Sequence, residues 1–567
     1  QWNGTKHEDE EQTLRDGSPK AHGRGVYYMS PGEDYGKYLS EGVKRALDAG
    51  ALAVCLEEPE FWVESGWEAN FKRQWRACYH EDWQPPDSSP DAQYRASKLK
   101  YLLYRRALSQ VFDFVHQYAK AHGSEIPCYV ATHSLINYAD WRIVSPESSL
   151  IRVGCDGYIA QVWTGTARTP NVYDGRLAER TFDSAFLEYG AMQNLVRASG
   201  RRVWYLNDPI EDNPRHTWAD YRGNWESTLI ASLLQPEGWR YEIMPWPQRI
   251  FFGRHASATQ PARREPIPAD YQTELQAVIS AMGDMEPPPA ATRWEACGTR
   301  GAGVLVSDTL MFHRGGPGAS DEHLGNFFGL ALPLLKRGVP VEPVQIENAT
   351  EHGFLDRYKL LLLSYEGQKP PDPKFHEALV KWVKRGGALV VVDDDKDPFN
   401  AVRDWWNEGK FTYKAPREHL FEALGLPADT RGLHRVGNGV VLFEAASPAA
   451  MTYQPDGSER IRSLAKQAAE AVKLPWTESA ALVVRRGPYL VAAGLEESGA
   501  GLQPVVLHRR MISLFDPSLS VVKEFAVSPG RRALLVDLDS MPAGHQGVVA
   551  AACRVRQHTI AGQLIMF

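Results

Sequence analysis

An alternation of short apolar runs with amphipathic segments begins at Gly25 and restricts the chain to folds built on a parallel β-sheet. Each apolar run is followed by a loop that contains Pro, Gly or Asn, and then by a segment with apolar residues at spacings of three and four. The pattern predicts strands at residues 25–30, 51–57, 127–132, 157–163, 202–206 and 239–244, and helices at residues 34–49, 97–121, 183–199 and 225–234. Strands that alternate with helices in this way lie parallel, in a sheet that is either open or closed.

We expect this sheet to be a (β/α)8 barrel of the TIM type. Six predicted strands are two fewer than such a barrel needs, so if residues 51–57 form the fourth strand, the first two strands are missing upstream and the chain starts inside a longer gene product. Polar and acidic residues crowd the carboxyl ends of the strands, which is typical of the barrel face that carries the chemistry. The alternative is an open doubly wound sheet, which uses the same strand ends.

The second half of the chain predicts two further units. Strands at residues 302–312, 341–346, 359–363 and 388–392 alternate with helices at residues 322–337 and 374–385, which indicates a second α/β domain. Short alternating strands from residue 480 to residue 555 are typical of a small antiparallel β-sandwich. The predicted organisation is a polar arm at 1–24, a barrel at 25–260, a proline-rich linker at 261–295, the second α/β domain at 296–475 and the β-sandwich at 476–567.

Composition excludes several partners. A net charge of -7 without a stripe rich in Lys and Arg argues against nucleic acid, and no apolar run is long enough to span a bilayer. The six cysteines include no Cys-x-x-Cys pair and the histidines lack metal-ligand spacing, so we expect no catalytic metal and no cofactor. The chain opens at Gln1 without an apolar leader segment, which leaves periplasmic, extracellular and cytoplasmic locations open.

Three carboxylates, Glu57, Glu58 and Glu60, lie at the end of the second predicted strand. Groups this close repel one another, so some of them must be solvated, paired or protonated. Hydrolysis of a glycosidic bond requires such a carboxylic acid facing a second carboxylate. The neighbouring Pro59 and Trp62 favour a site of this kind, although the carboxylates could instead cap the turn that follows.

A second acidic cluster follows the fifth predicted strand and contains Asn207, Asp208, Glu211 and Asp212. Prolines on both sides of Glu211 make the loop rigid enough to hold carboxylates in place. If the first cluster ends the fourth strand of a barrel, this cluster ends the seventh. The two clusters then lie on opposite sides of one mouth, as a pair of carboxylates flanking a glycosidic bond must.

Other predicted strand ends offer side chains that suit a sugar. His133 and Gln161 can hydrogen-bond to hydroxyl groups, and Trp163 and Trp246 can stack on a sugar ring. Each of these residues could also serve a structural role, since a packed barrel rim has the same composition. The run from Gly315 to Gly318 lacks the Lys-Ser/Thr ending of a phosphate-binding loop, so we interpret it as a flexible loop.

This arrangement resembles glycoside hydrolases of the large retaining (β/α)8 superfamily, and in domain order the family-42 type β-galactosidases. Those enzymes combine a barrel, a flavodoxin-like trimerisation domain and a small C-terminal β domain. The resemblance implies that residues 296–475 are flavodoxin-like, and similar to glutamine amidotransferases, with a homo-oligomer formed through them. Where amidotransferases carry a nucleophilic Cys, this chain has Ser364 and Tyr365, so we expect the domain to be structural.

The resemblance also implies roles for individual residues. Glu57-Glu58-Pro59 matches the Asn-Glu-Pro motif of the superfamily with Glu in place of Asn, which makes Glu58 the acid/base. Asp208 falls at the nucleophile position, with Glu211 in reserve. The expected sugar contacts are Glu57, Glu60, Trp62, His133, Gln161, Trp163, Asn207, Asp212 and Trp246.

We therefore expect a glycosidase of a divergent or unclassified family that acts on a carbohydrate substrate. The loss of the Asn at position 57 keeps a second hypothesis open. In that hypothesis the protein is a non-catalytic carbohydrate-binding or assembly protein on a degenerate barrel.

Overall fold

The structure, a computed structural model, describes residues 2–163, 165–211, 213–244, 246–285, 292–318, 321–499, 501–541 and 549, together with the backbone of residues 559–561 and 564–566. Three sheets of five or six strands organise these residues. None of the described helices is both long enough and apolar enough to cross a membrane.

The first sheet consists of five parallel strands, β1 (Val54–Glu57), β2 (Cys128–Thr132), β3 (Gly157–Ala160), β4 (Arg202–Asn207) and β5 (Tyr241–Ile243). Each strand pairs with the next one along the chain, so the order in the sheet follows the order in the sequence. A doubly wound sheet reverses its order at a switch point, whereas a (β/α) barrel does not. Among the described strands, the order is therefore that of a barrel.

The predicted strand at residues 25–30 does not belong to this sheet, and that prediction was wrong. Only Val26–Tyr27 is extended, and it pairs antiparallel with Ala21–Gly23 across a tight turn. Both short strands are exposed along their whole length, so they lack the buried face that a strand of the parallel sheet requires. The predicted polar arm at 1–24 thus contributes one side of a hairpin.

Helices surround the parallel sheet at Tyr35–Asp48, Ala69–Tyr79, Pro90–Ala121, Leu135–Trp141, Glu147–Leu150, Thr181–Arg197, Trp218–Leu233 and Pro247–Phe251. The longest of them begins earlier than predicted because the Ser89 side chain accepts a hydrogen bond from the Ala92 amide and Pro90 occupies the first turn. Antiparallel ribbons connect these elements, namely Phe61–Trp62 with Ile143–Val144, Pro170–Tyr173 with Arg176–Glu179, and His255–Ala256 with Arg264–Glu265.

The predicted linker at residues 261–295 is structured in the described part of its length, and that prediction was wrong. It contains the helix Ala269–Asp284, in which Tyr271, Leu275 and Val278 are fully buried against the first unit. Their spacing of four and three residues places them on one helix face, a signal that the surrounding prolines obscured. Residues 286–291 lie outside the described part of the chain.

The second sheet contains β6 (Ala302–Val306), β7 (Glu342–Gln345), β8 (Leu360–Leu363), β9 (Ala388–Val392), β10 (Gly432–Val436) and β11 (Gly439–Glu444). The strand order is β7-β6-β8-β9-β11-β10, parallel except for the antiparallel β10. The order reverses between β6 and β8, so this sheet is doubly wound. Its helices are Gly325–Leu335, Lys374–Lys384, Pro416–Leu424, Pro448–Met451 and Gly457–Ala471.

The third sheet is antiparallel and consists, in order, of Thr292–Ala296, Ala481–Arg486, Tyr489–Gly494, Arg532–Asp537, Met511–Ser513 and Val521–Val522. A two-stranded ribbon of Val505–Leu507 and Phe525–Val527 lies beside it. The first strand of the sheet precedes the second α/β unit in sequence, and the remaining strands follow that unit. The C-terminal sheet therefore takes an edge strand from the region predicted to be a linker.

Candidate active site

A cavity of about 650 Å³ opens at the carboxyl ends of β1 to β5. Among the residues predicted for the site, those that line this cavity are Glu57, Glu58, Glu60, Trp62, His133, Gln161, Trp163, Asp208 and Trp246. Glu57 on β1 and Glu242 on β5 both line it, although these are the two outermost strands of the sheet. The sheet therefore curls around the cavity and brings its strand ends to a common mouth.

A tight turn at the end of β1 forms one wall of the cavity. The Glu58 amide donates to the Ala131 carbonyl at 2.9 Å and continues the pairing with β2, while the Glu60 amide donates to the Glu58 carbonyl at 2.7 Å. Glu58 has a φ of 45° in the left-handed region, which non-glycine residues rarely adopt. Such a conformation persists only where surrounding contacts impose it, and it directs two carboxyl groups of the turn toward the cavity.

Glu58 contacts a histidine on the neighbouring strand end. His133 Nε2 lies 3.3 Å from Glu58 Oε1, and His133 Nδ1 lies 2.9 Å from the carbonyl oxygen of Gln161. Burial disfavours the charged form of Glu58, but the hydrogen bond and the charge of His133 outweigh burial, so the pKa of Glu58 lies below its usual value. Glu58 is therefore the ionised carboxyl group of the turn.

Glu60 occupies a different environment only two residues away. Its side chain also lines the cavity, yet the residue is only 3% exposed. Burial, and next the negative charge of Glu58, raise the pKa of Glu60 to about 8, although hydrogen bonds from Tyr28 and Tyr138 oppose the shift. Near neutral pH this carboxyl group therefore retains its proton.

Asp208, which follows the carboxyl end of β4, also lines the cavity. Its residue is 4% exposed, and Arg249 Nη2 donates to Asp208 Oδ2 at 2.5 Å. The other carboxylate oxygen accepts the Ile210 amide at 3.1 Å, and Arg249 also donates to the Ile210 carbonyl at 2.9 Å. A charged partner and a backbone donor thus hold Asp208 in a fixed orientation.

Two other residues of the second acidic cluster do not line the cavity. Glu211 is buried in an ion-pair cluster, with Arg168 Nε 2.6 Å from its Oε2 and a hydrogen bond to His216. Asn207 accepts a hydrogen bond from Trp225 Nε1 at 3.0 Å on the helix side of β4. Asp212 lies outside the described residues.

Aromatic side chains surround the mouth. Trp62, Trp163 and Trp246 line the cavity as the sequence predicts, and Trp246 is 64% exposed at the rim. Lys20 Nζ lies 3.6 Å from the centre of a Trp62 ring, which leaves less of that ring for a ligand. Trp141, which the sequence analysis missed, lines the cavity and packs against His133 with ring centres 4.8 Å apart.

The sequence analysis also missed Tyr28, Glu242 and Arg249, which line the same cavity. Glu242 could have been found, because it lies between the apolar residues Tyr241 and Ile243 in the predicted strand at residues 239–244. Tyr28 reaches the cavity from the hairpin that was misassigned to the sheet, so no sequence signal placed it there. Arg249 follows Trp246 on a short helix whose orientation depends on tertiary packing.

Three groups of side chains in the described residues have the donor atoms that a metal ion requires, all within 4.8 Å of one another: Glu58, Glu60 and His133; Glu211, His216 and Asp220; and His116, Cys128 and Asp156. In the last two groups an arginine already neutralises a carboxylate, since Arg168 pairs with Glu211 and Arg201 pairs with Asp156 at 2.5 Å. The first group has the oxygen and nitrogen donors of a divalent cation site, but its histidine already contacts Glu58.

The second sheet offers a further place for a ligand, because doubly wound sheets bind ligands where the strand order reverses. Here Gln368 fills the crevice between β6 and β8, accepting from the Ser307 amide at 2.8 Å and donating to the Leu305 carbonyl at 3.0 Å. Asp308, after β6, accepts hydrogen bonds at 2.8 Å from Tyr101 and at 2.7 Å from the Ser148 hydroxyl, both in the first unit. Contacts within the protein occupy this crevice.

No protein-family model matches the chain, and no curated protein matches it. Solved structures do match. A β-galactosidase from Bacillus circulans sp. alkalophilus superposes with a TM-score of 0.51 at 11% identity, over 93% of this chain and 86% of that chain. A polyextremophilic β-galactosidase from the Antarctic haloarchaeon Halorubrum lacusprofundi superposes with a TM-score of 0.56 at 12% identity, over 94% of this chain and 86% of that chain.

At this level of identity the likeness establishes a common fold. It extends over nearly the whole chain, so it includes the parallel sheet with the cavity and the additional units that follow. The resemblance inferred from the sequence is confirmed at the level of fold.

Proposed function

We propose that this protein is a glycoside hydrolase that cleaves its substrate between carboxyl groups on two facing walls of one cavity. The observation that carries the proposal is the convergence of the turn from Glu57 to Glu60 with Asp208 and four tryptophans at the mouth of the parallel sheet. Carboxyl groups supply the acid and the nucleophile or base of glycoside hydrolysis, and tryptophan rings stack on sugars. The similar solved structures are themselves named as β-galactosidases.

The two walls take different parts in this reaction. A carboxyl group of the Glu57–Glu60 turn protonates the glycosidic oxygen, as the sequence motif around Glu58 suggests. Asp208, with Arg249 as its cationic partner, is the carboxylate that attacks the anomeric carbon or activates water. Glu211 does not line the cavity and its carboxylate pairs with Arg168, so we do not assign it the role of nucleophile or base. Trp62, Trp163 and Trp246 stack on the sugar.

The test is turnover of a panel of aryl glycosides by the full chain. We expect wild type to hydrolyse at least one of them, and Asp208→Asn to lose roughly 10³-fold or more in kcat. Addition of azide, a small external nucleophile, should restore part of the activity of Asp208→Asn if this carboxylate attacks the sugar. Asp113→Asn, the same change at an exposed site on the long helix, should match wild type.

One observation favours a second function, a non-catalytic carbohydrate-binding protein. Asp208 is 4% exposed and held by both Arg249 and a backbone amide, which is also how a structural carboxylate is arranged. If wild type binds sugars by calorimetry but hydrolyses none of the panel, the binding function is correct and the hydrolase proposal is wrong.

A further inference from the structure

Two carboxyl groups of the cavity wall are close neighbours with opposite surroundings. Glu58 and Glu60 flank Pro59, and their nearest carboxyl oxygens, together with His133 Nε2, all lie within 4.8 Å of one another. Where the environments of two such groups favour opposite protonation states, the groups divide the acid and base roles of an active site between them. The surroundings of each group therefore indicate its role.

The histidine determines the state of Glu58. His133 Nδ1 faces the carbonyl oxygen of Gln161 at 2.9 Å, and a carbonyl oxygen can only accept, so Nδ1 carries a hydrogen. Nε2 faces Glu58 Oε1 at 3.3 Å, and a hydrogen bond there requires a second proton on the ring or a proton on the carboxyl group. The lowered pKa of Glu58 favours the arrangement in which its carboxylate accepts the hydrogen bond from Nε2.

Glu60 has no such partner among the described residues. Its carboxyl group faces the hydroxyl groups of Tyr28 and Tyr138 and the carboxylates of Glu57 and Glu58. Tyr104 on the long helix faces it from a third side. At 3% exposure Glu60 forms no ion pair among the described residues, and His133, which lies within 4.8 Å of it, contacts Glu58 instead. Glu60 keeps its proton because burial without a paired counter-charge disfavours the ionised form.

We propose that Glu60, and not Glu58, is the proton donor to the leaving group, and that His133 keeps Glu58 in the carboxylate form beside it. This inference rests on the proposed glycoside hydrolase function. In the step, the glycosidic carbon–oxygen bond breaks and its oxygen takes the proton of Glu60. Water then supplies a hydroxyl group to the anomeric carbon, and its remaining proton returns to Glu60. Glu58 contributes negative charge beside the positively charged transition state.

The assignment differs from the sequence motif, which places the acid at Glu58. The raised pKa of Glu60, about 8, keeps the donor protonated at neutral pH, whereas the lowered pKa of Glu58 does not. The charged and titratable groups near Glu60 are His133, Tyr28, Tyr104, Tyr138 and the two neighbouring glutamates. We therefore expect kcat/KM to fall as the pH rises through about 8, and we assign this basic limb of the pH–rate profile to Glu60.

The decisive experiment compares Glu60→Gln with Glu58→Gln in the full chain, on a phenyl glycoside and a dinitrophenyl glycoside of the same sugar. Loss of a proton donor slows the poor leaving group far more than the good one. We expect Glu60→Gln to lose roughly 10²–10⁴-fold in kcat/KM on the phenyl glycoside and about tenfold or less on the dinitrophenyl glycoside. Glu58→Gln should slow both substrates equally. The opposite pattern, with leaving-group dependence in Glu58→Gln alone, overturns the assignment.

If Glu60→Gln folds poorly, the more conservative substitution Tyr28→Phe still tests the assignment. Tyr28→Phe removes a hydrogen bond that lowers the pKa of Glu60, so the basic limb of the rate profile should move to higher pH. A basic limb that stays in place overturns the assignment. His133→Gln removes the hydrogen-bond partner of Glu58 and should raise the pKa of Glu58.

Infrared spectroscopy separates a failure of this inference from a failure of the proposed function. At pH 7 the carbonyl stretching band of a protonated carboxyl group should be present in wild type and Glu58→Gln, and weaker in Glu60→Gln. If the band behaves in this way but no glycoside is hydrolysed, the proposed function and the donor role are both wrong, while the protonation state stands. If glycosides are hydrolysed but the band is unchanged in Glu60→Gln, only the donor assignment is wrong.

Discussion

The ammonium group of Lys100 donates a hydrogen bond to the carbonyl oxygen of Trp62 at 3.2 Å, and so ties the helix Pro90–Ala121 to the aromatic wall of the cavity. The same group donates to the Val63 carbonyl at 2.7 Å and is fully buried. Burial, partly offset by the charges of Glu68 and Glu64, lowers the pKa of Lys100 to about 7. Although burial disfavours its charged form, Lys100 makes these hydrogen bonds, and they fix the position of Trp62.

Lys100→Met should therefore weaken both stability and sugar binding. The change keeps an apolar side chain of similar length but leaves the Trp62 and Val63 carbonyl oxygens without their donor, which costs about 1–3 kcal/mol. We expect a lower free energy of unfolding in urea and a raised KM with little change in kcat. Lys120→Met, at an exposed position on the same helix, should stay within about 0.5 kcal/mol of wild type. An unaltered KM in Lys100→Met would show that Trp62 does not contact the substrate.

Trp246→Ala should reduce sugar binding without loss of stability. At 64% exposure this ring contributes little to the core, but it stands at the cavity rim where a sugar can stack on it. We expect KM to rise by about tenfold, equivalent to about 1.4 kcal/mol, and the midpoint of thermal unfolding to stay unchanged. Trp239→Ala, which removes a ring that is 38% exposed and does not line the cavity, is the matched control and should leave KM as it is.

Glu497, in the C-terminal unit, joins all three units through ion pairs. We expect removal of its charge to lower the stability of the protein only above acidic pH. Its carboxylate contacts Arg180 of the first unit at 2.7 Å and Lys336 of the second at 3.2 Å. Burial opposes ionisation, but the hydrogen bond from Arg180 and the charge of Lys336 outweigh it and lower the pKa of Glu497 to about 2.

Because the folded-state pKa of Glu497 lies below the usual glutamate value, the unfolded chain binds the proton more readily. The stabilisation is thus complete above the usual glutamate pKa and is lost as the pH falls toward about 2. Glu497→Gln should unfold at a lower temperature than wild type at pH 7, and the difference should shrink at acidic pH. A difference in unfolding temperature that does not vary with pH would contradict this account.

The contribution of Glu347 to stability should have the opposite pH dependence to that of Glu497. It is half-buried near Ser307 and Gln345, and desolvation of its carboxyl group, together with the charge of Asp308, raises its pKa to about 7. Its oxygens accept hydrogen bonds from the Ser307 hydroxyl at 2.7 Å and from Gln345 at 2.6 Å. The protonated form is favoured in the fold, so stability is greatest below the usual glutamate pKa and falls as the pH rises through about 7.

Glu347→Gln should therefore flatten the decline of the unfolding temperature between pH 5 and pH 8. Wild type should show the decline by differential scanning calorimetry across the same series of buffers. If the unfolding temperature falls equally steeply with pH in both proteins, another group in this region titrates. Asp308, whose pKa is also raised by burial, is the first candidate.

Much of the fold follows from local patterns in the sequence. The strands β1 to β5 and the βαβ crossover from β8 to β9 lie where the alternation of apolar runs and helices predicts them. The errors arose where local signals disagree with tertiary packing. Residues 25–30 have strand-like composition, but Val26–Tyr27, the strand that forms there, is exposed. The prolines around Ala269–Asp284 hide a helix whose apolar residues are spaced correctly.

The candidate site was predictable only in part. Parallel strands bring their carboxyl ends to one edge, which is why Glu58, His133, Gln161 and Asp208 could be expected together. The protonation of Glu60 was not predictable, because it depends on burial by tertiary packing and on the neighbouring charge of Glu58. Within the second acidic cluster, the sequence does not reveal which carboxylate meets a distant arginine, and so could not separate Asp208 from Glu211.

The strand Thr292–Ala296 emerges from the ribosome well before its partner Ala481–Arg486, since the whole second unit is synthesised between them. During translation this strand remains an unpaired edge beside a barrel whose described strands have all been made. In the folded protein the second unit brings its two ends together beside this sheet, where the Thr299 amide donates to the Thr477 carbonyl and the Gly298 amide donates to the Gly338 carbonyl. Thr292–Ala296 therefore waits for its partner until at least residue 486 has been made, and an unpaired edge strand is open to association with other chains during that time.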